Sequence, residues 1–271
     1  MLSLSVITVT YNAAGGLRRT LESAAALPAE QRSRMEWILV DGASTDETIL
    51  VAQESGSFDT IVSEPDAGIY DAMNRGAELA RGQWLQFLNA GDTFSQPVDL
   101  GPVLAALDSA APSALWAVAQ TRHLRGGRGD PIIVENIPHV WWRHALGLQA
   151  HAHPSTFVRR SVFDAMGGYR LDYGPAGDMD LILRLGMLGR PIEIPVVIVD
   201  FEGGGVSDVP ELVTVRLLEH IRKDRFQLTG IPAALNRAAA TAIGLRRDGG
   251  AWLSRLRRRG SKQVSGSRDA S

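Results

Sequence analysis

The feature that most constrains this chain is a rhythm. Over the first ninety residues, short apolar runs suited to strands covered on both faces alternate with segments whose apolar residues recur at helical spacing. LSVITVTY (4–11), MEWILVDG (35–42), DTIVSEP (59–65) and WLQFLN (84–89) read as strands. LRRTLESAAALP (17–28), STDETILVAQES (44–55) and YDAMNRGAELAR (70–81) read as the helices between them. Pro28 stops the first helix, and Ser44 or Thr45, with Glu47 close behind, is placed to cap the second. Strands and helices in this alternation build a parallel α/β sheet with helices on its faces, and such a sheet gathers ligands at the carboxyl ends of its strands.

Asn12, Asp41, Glu64 with Asp66, and Asp92 all stand at or just past those ends, so the topology brings them to one edge. A single Asp there can serve a turn or cap the next helix. Polar residues at four separate strand ends argue instead for a shared site. The run WLQFLNAGD shows the pattern best: bulky apolar residues stop at Asn89, and a carboxylate, Asp92, follows at the rim.

With 271 residues, 45% of them hydrophobic, the chain can bury a sizeable core. A formal net charge of −2 argues against a general nucleic-acid binder, but the average hides an uneven distribution. From Arg246 onward eight Lys/Arg face two Asp, so this stretch carries +6 and the remainder −8. There is no cysteine, which excludes disulfides and thiolate metal sites. No apolar run reaches the roughly 18 residues of a membrane span, and MLSLSVITVTYN lacks the features of a signal peptide, so a cytoplasmic protein is expected.

SVITVTYN, VDGASTDET and SEPDAGIYDAMNRGAELARGQWLQFLNAGD, followed by HPSTFVRR, AGDMDLILRL and FEGGGVS, resemble the family 2 inverting glycosyltransferases of the GT-A fold. The likeness is to the bacterial branch that builds colanic acid and O-antigen polysaccharides, and it covers residues 4–207. A GxGxxG fingerprint is absent, which counts against a dinucleotide-dependent dehydrogenase. The glycine- and lysine-rich activating loop of a nucleotidyltransferase is also missing.

The resemblance implies a Rossmann-like, mostly parallel sheet flanked by helices over 1–207. Residues 1–95 form its nucleotide-sugar half and 96–207 its acceptor half, with a helical, basic tail over 208–271. It implies that Thr10, Tyr11 and Asn12 bound the nucleotide base, with Asp41 accepting a hydrogen bond from it and Ser44 and Asp46 completing that wall. Asp71, Asn74 and Gly76 would lie beside the ribose and donor sugar. Asp92, with Asn89 nearby, would hold a divalent cation, Mg²⁺ or Mn²⁺, on the two phosphates. Where the family pattern is D-x-D-D, this chain has Asn89-Ala90-Gly91-Asp92, so such a cation would lean on the diphosphate oxygens.

Asp178 opens the helical run after Gly174 and Pro175. Spacing alone reads it as a helix N-cap. The resemblance makes it the catalytic base, the Asp of a Glu-Asp pair in which Gly177 replaces the Glu; Asp180 is the second choice. His139, His144, His151 and His153 fall within fifteen residues, a weak metal signal without cysteine or HExxH, and His153 matches a position on the acceptor side. Trp141-Trp142 suits packing or stacking on a sugar, and GGGVS (203–207) reads as a loop.

Residues 210–226 carry one apolar helical face, and 231–260 mix short apolar stretches with arginine and Trp252. This basic stretch is expected either to stay solvated or to lie on anionic lipid at the inner face of the membrane. The function implied is transfer of a sugar from a nucleotide-diphosphate donor, UDP-linked, to a hydroxyl of a saccharide or lipid-linked saccharide. The rival is a nucleotide-sugar-binding protein with little catalysis, suggested by the thinned metal motif.

Overall fold

The computed structural model describes residues 2–124, 131–134, 136–149, 151–201 and 211–242. It divides into two units, 1–205 and 206–271. In the first unit, β1 (Leu4–Thr10), β2 (Met35–Asp41), β3 (Thr60–Ser63) and β4 (Trp84–Phe87) are the predicted parallel strands. Between them run α1 (Ala14–Ala24) with the short α2 (Ala29–Arg32), then α3 (Thr48–Ser55), then α4 (Ile69–Leu79). β5 (Thr93–Phe94), α5 (Gly101–Asp108), β6 (Trp116–His123) and β7 (Ile132–Ile133) follow. α6 (Trp141–Ala145), β8 (Thr156–Arg159), α7 (Arg160–Ala165), α8 (Gly177–Leu188) and β9 (Ile192–Phe201) complete the unit.

The sheet runs β3-β2-β1-β4-β8-β6-β9-β5, with β7 against β6. It is parallel from β3 to β4 and mixed beyond: β8 enters antiparallel between β4 and β6, while β6 and β9 are parallel. The half of the sheet built from β1 to β4 thus keeps the expected parallel order.

Every residue of β1 and β2 is buried, because helices cover both faces. Alternation sends Leu4 and Val6 to one core, with Trp37, Trp84 and α5, and Ile7 and Val9 to the other, with α4 and α8. Gly76 of α4 belongs to this packing. A Cβ there would lie 2.4 Å from Ile7 Cγ2, so the glycine lets the helix press onto β1.

At the opposite end of the sheet from the strand carboxyl termini, Glu36 is 1% exposed. Burial opposes its charge, but hydrogen bonds from Ser5, Arg81 and Gly82 outweigh that and hold its carboxyl below the ordinary range. This clamp ties β1, β2 and the turn before β4 together at the closed end of the sheet.

α3 starts at Thr48, later than the sequence spacing predicts, because Ser44 and Asp46 are used in the preceding loop. Asp46 Oδ1 accepts from Thr48 N at 2.9 Å, so Asp46 and not Ser44 or Thr45 supplies the helix-start bond. In the second unit, α9 (Glu211–Arg225) and helical residues 230–242 are joined by Asn236, which donates to the Glu219 carbonyl at 3.0 Å and accepts from Arg222 Nε at 2.7 Å.

Candidate active site

Thr10, Asp41 and Ser63 stand abreast at the ends of β1, β2 and β3. Asp41 is fully buried and accepts from Ser44 N at 2.8 Å, from the Ser44 hydroxyl, and from the Ser63 hydroxyl at 2.7 Å. The Ser44 hydroxyl in turn accepts from Asn12 N at 2.7 Å. Asn12, at φ +48°, turns its side-chain oxygen to the backbone N–H of Thr45 at 2.8 Å. Asn12, Asp41, Ser44 and Asp46 therefore form one interlocked wall between the β1 and β2 loops. Burial alone would raise the Asp46 carboxyl, but bonds led by the Thr48 hydroxyl hold it below the ordinary range.

On this wall Tyr11 is 66% exposed, and Thr10 Oγ1 is buried with no partner. The open Tyr11 ring is the part of this wall that a flat ligand would meet, with the Thr10 hydroxyl buried behind it. Gly42 completes the floor: a Cβ there would lie 2.6 Å from Asp66 Oδ2 and 3.4 Å from the Tyr11 ring. Ser63 and Asp66, neither of them among the expected donor residues, thus belong to this edge.

The residues expected beside the donor sugar, Asp71, Asn74 and Gly76, all lie on α4. Asp71 accepts from Ala67 N at 2.9 Å and fixes the start of α4. Asn74 spends both ends of its amide on the Tyr169 backbone, donating to its oxygen at 3.0 Å and accepting from its N–H at 2.8 Å. Gly76 is buried against Ile7. The Asn74 amide and the face of Gly76 are thus engaged within the fold.

Past β4, the turn Asn89–Asp92 closes on itself. Asp92 Oδ2 accepts from Asn89 N at 3.1 Å, and Thr20 of α1 pins the turn through Gly91 N at 2.9 Å and the Asp92 carbonyl at 2.8 Å. Burial pushes the Asp92 carboxyl up to about 6, partly offset by the Asn89 bond, and Asn89 Oδ1 is buried with no partner. An unneutralised carboxylate and an idle amide oxygen in one turn are hard oxygen donors, and they fit a divalent cation whose remaining ligands come from phosphate or water. Among the described residues no group of three or more His, Cys, Asp or Glu is placed to hold a metal alone.

Asp178, in the first turn of α8, accepts from its neighbour Met179 N at 2.8 Å and from the Tyr70 hydroxyl at 3.1 Å. His153 lies in the same neighbourhood. Its ring stacks on Phe87 at 5.6 Å, its Nε2 pairs with the Tyr169 hydroxyl, and the Asp178 charge partly counters the burial that lowers its pKa. It therefore supports the floor beneath Asp178 through Tyr169. Asp180, the second choice for the base, is fully buried and ion-paired to Arg184 at 2.8 Å, while Arg184 also donates to the Met166 and Gly168 carbonyls. It is a structural bridge between α8 and the loop after α7.

His139, His144 and His151 pack around Trp116, with His139 Nδ1 and His151 Nε2 at 2.9 Å. Burial lowers the pKa of each, and His151 is pushed down to about 3 with its neighbours' charge adding to the effect. Trp141 packs near Gly186 of α8 and on His144, whereas Trp142 is 58% exposed. GGGVS and the arginine-rich stretch 246–260 lie outside the described residues.

The model of a known family, described as Glycosyl transferase family 2, matches residues 5–142. The chain belongs to glycosyltransferase family 2. The glycosyltransferase is 36% identical to an uncharacterized glycosyltransferase of Mycobacterium tuberculosis over 209 residues, 76% of this chain and 77% of that one. In fold it is similar to the mannosyltransferase PcManGT of Pyrobaculum calidifontis in complex with GDP-Man and Mn²⁺, at 19% identity and a TM-score of 0.65, covering 96% of this chain and 80% of that one. It is also similar to S. aureus TarS in complex with UDP-GlcNAc, at 17% identity and a TM-score of 0.63, covering 91% of this chain and 72% of that one. These likenesses place the mixed sheet and its flanking helices in the GT-A class.

Proposed function

We propose that this glycosyltransferase is inverting and moves a sugar from a nucleotide-diphosphate donor, UDP-linked, to a hydroxyl of a saccharide or lipid-linked saccharide in the branch that assembles surface polysaccharides. The observation that carries the reading is the Asn89–Asp92 turn, tied to the end of β1 by the bond from Ala90 N to the Val9 carbonyl at 3.2 Å, whose unpartnered amide oxygen and buried carboxyl are two oxygen donors suited to a cation. Neighbours of like fold bind UDP-GlcNAc and, with Mn²⁺, GDP-Man, which supports a nucleotide sugar and a divalent cation, Mg²⁺ or Mn²⁺.

On this reading Thr10, Tyr11 and the Asp41 wall bound the base, and Asp92 with Asn89 holds the cation. When bound, the cation offsets the negative charge that grows on the leaving diphosphate. Asp178 takes the proton of the acceptor hydroxyl as that oxygen bonds to the anomeric carbon. The bond from that carbon to the diphosphate oxygen breaks, and its electron pair leaves with the nucleoside diphosphate. Because attack and departure occur on opposite faces, the anomeric configuration inverts. We also propose that the basic C-terminal stretch touches anionic membrane, where a lipid-linked acceptor would reside.

The test is Asp178→Asn. A base acts in the transition state, so turnover is expected to fall by roughly 10²–10⁴-fold with donor affinity and melting temperature unchanged. Asp178 lies inside the first turn of α8, whose N-cap is Ala176, and a purely structural role there would behave differently, since an Asn side-chain oxygen can accept from Met179 N and the Tyr70 hydroxyl as Asp does. Near-normal turnover in the variant would remove Asp178 from the reaction. A native protein that binds the donor yet transfers nothing would favour the binding-protein reading.

A further inference from the structure

We infer that Tyr70 is a positioning residue for Asp178, and that Gly177 is glycine so that the Tyr70 ring can reach it. The inference rests on reading Asp178 as the base. Tyr70 lies in the first turn of α4, on a different element from Asp178, and its ring is 8% exposed. Its hydroxyl has one proton to give and shares it between two acceptors, Asp178 Oδ1 at 3.1 Å and the Pro175 carbonyl at 3.0 Å. One group thus anchors the carboxylate and the turn that leads into α8.

The ring itself is held from two sides. Tyr169 packs on it at 5.2 Å between centroids. On the other side, a Cβ at Gly177 would fall 2.8 Å from ring atoms Cδ2 and Cε2. The backbone of Gly177 is in ordinary helical geometry, so conformation does not demand glycine there; the ring does. The missing side chain next to Asp178 is therefore complemented by an aromatic side chain from α4.

This arrangement leaves the carboxylate's chemistry intact. Among the described residues the hydrogen bonds to the Asp178 carboxylate fall on Oδ1, which leaves Oδ2 as the oxygen to receive a proton. Burial, with the Asp178 charge adding to it, holds the Tyr70 hydroxyl far above its ordinary pKa, so it stays protonated and remains a donor at any working pH. A base that must meet an acceptor hydroxyl within a fraction of an ångström gains rate from being fixed in place.

The experiment compares Tyr70→Phe, Gly177→Ala, Asp178→Asn and the Tyr70→Phe/Asp178→Asn double variant. Turnover is read as UDP release from whichever of a panel of UDP-sugars the native protein consumes, alongside donor KM and melting temperature. Tyr70→Phe keeps the ring and its packing, and is expected to lower kcat about 10- to 100-fold, the effect of losing one hydrogen bond to a charged group, with donor KM unchanged. Gly177→Ala displaces the ring and is expected to lower kcat in the same sense, although alanine is the better helix former. In the Asp178→Asn background, Tyr70→Phe should add little, because both changes break one unit.

A normal kcat in Tyr70→Phe beside a crippled Asp178→Asn overturns the positioning role and spares the base. Losses that multiply in the double variant overturn it too, since they would show Tyr70 acting apart from Asp178. If Asp178→Asn itself turns over normally, both readings fall. If Tyr70→Phe melts far below the native protein, the Gly177→Ala kcat decides, a loss supporting the role and a normal value refuting it.

Discussion

Asp92 is the only carboxylate in its turn, and Asn89 beside it offers an amide oxygen without a partner. A cation held by one acid and one amide draws most of its affinity from the substrate's phosphates. Asp92→Ala is therefore expected to abolish the Mn²⁺-dependent part of UDP binding while leaving the metal-independent part, contributed by the Thr10–Tyr11 edge. Calorimetry of UDP with and without Mn²⁺ measures both parts, and an unchanged Mn²⁺ increment in the variant would take Asp92 out of the cation site. At this scale the sequence was informative about strand ends, because a parallel sheet delivers its carboxyl termini to one edge whatever its details. It was silent on what Asn74 and Gly76 touch, the Tyr169 backbone and Ile7, because a motif does not say which side of a helix packs inward. Tyr70, Met73 and Ala77, an inward stripe at helical spacing, carried that information, and Tyr70 is the one of the three that reaches the candidate site. Gly177 was visible as a departure from the Glu-Asp pair, but its reason lay on another element, more than a hundred residues away in sequence.

At the scale of elements, β1, β2 and β4 were legible to within a few residues because strands buried on both faces read as largely apolar runs, while β3 is only partly buried and stood out through its short β-branched core. The start of α3 moved because polar loop residues were already engaged, and the insertion of β8 between β4 and β6 was not legible, since pairing between distant strands leaves no local periodicity. The histidine cluster shows the same limit: fifteen residues of sequence carried only a weak metal signal, whereas folding gathers three of the rings around Trp116, two edge-on and one tilted. The fold holds these imidazoles neutral. Their folded pKa values are depressed, to about 3 at His151 against an ordinary 6.5, so below pH 6.5 the unfolded chain binds more protons than the folded one. Stability therefore falls as pH drops from about 6.5 toward 3. Glu193 partly opposes this at His139, where Arg190 and His144 reinforce it. Replacing His151 by Gln, which cannot be protonated, should flatten the decline of melting temperature between pH 7.5 and 5. Parallel melting curves of the two proteins across that range would assign the acid sensitivity to other groups.

For the whole molecule, the decisive property is the separation of charge. The chain before Arg246 carries −8, so an anionic lipid surface repels it, while the stretch that follows carries +6. No described helix is long and apolar enough to cross a membrane. Within the second unit, Ile231 and Leu235 are 77% and 65% exposed, apolar groups that a lipid interface would accept. Each basic residue near an anionic surface contributes about 1 kcal/mol, and the attraction fades within a Debye length of roughly 8 Å at physiological salt. Removal of residues 246–260 takes away six arginines and one aspartate. The full chain is expected to sediment with vesicles rich in phosphatidylglycerol at low salt and to leave them as salt rises. The truncated chain should stay in solution under both conditions while still releasing UDP from its donor. Neutral phosphatidylcholine vesicles should retain neither protein. Equal binding of the two chains to the anionic vesicles would refute a charge-driven contact through this stretch, and binding that salt does not weaken would shift the attachment to Ile231 and Leu235.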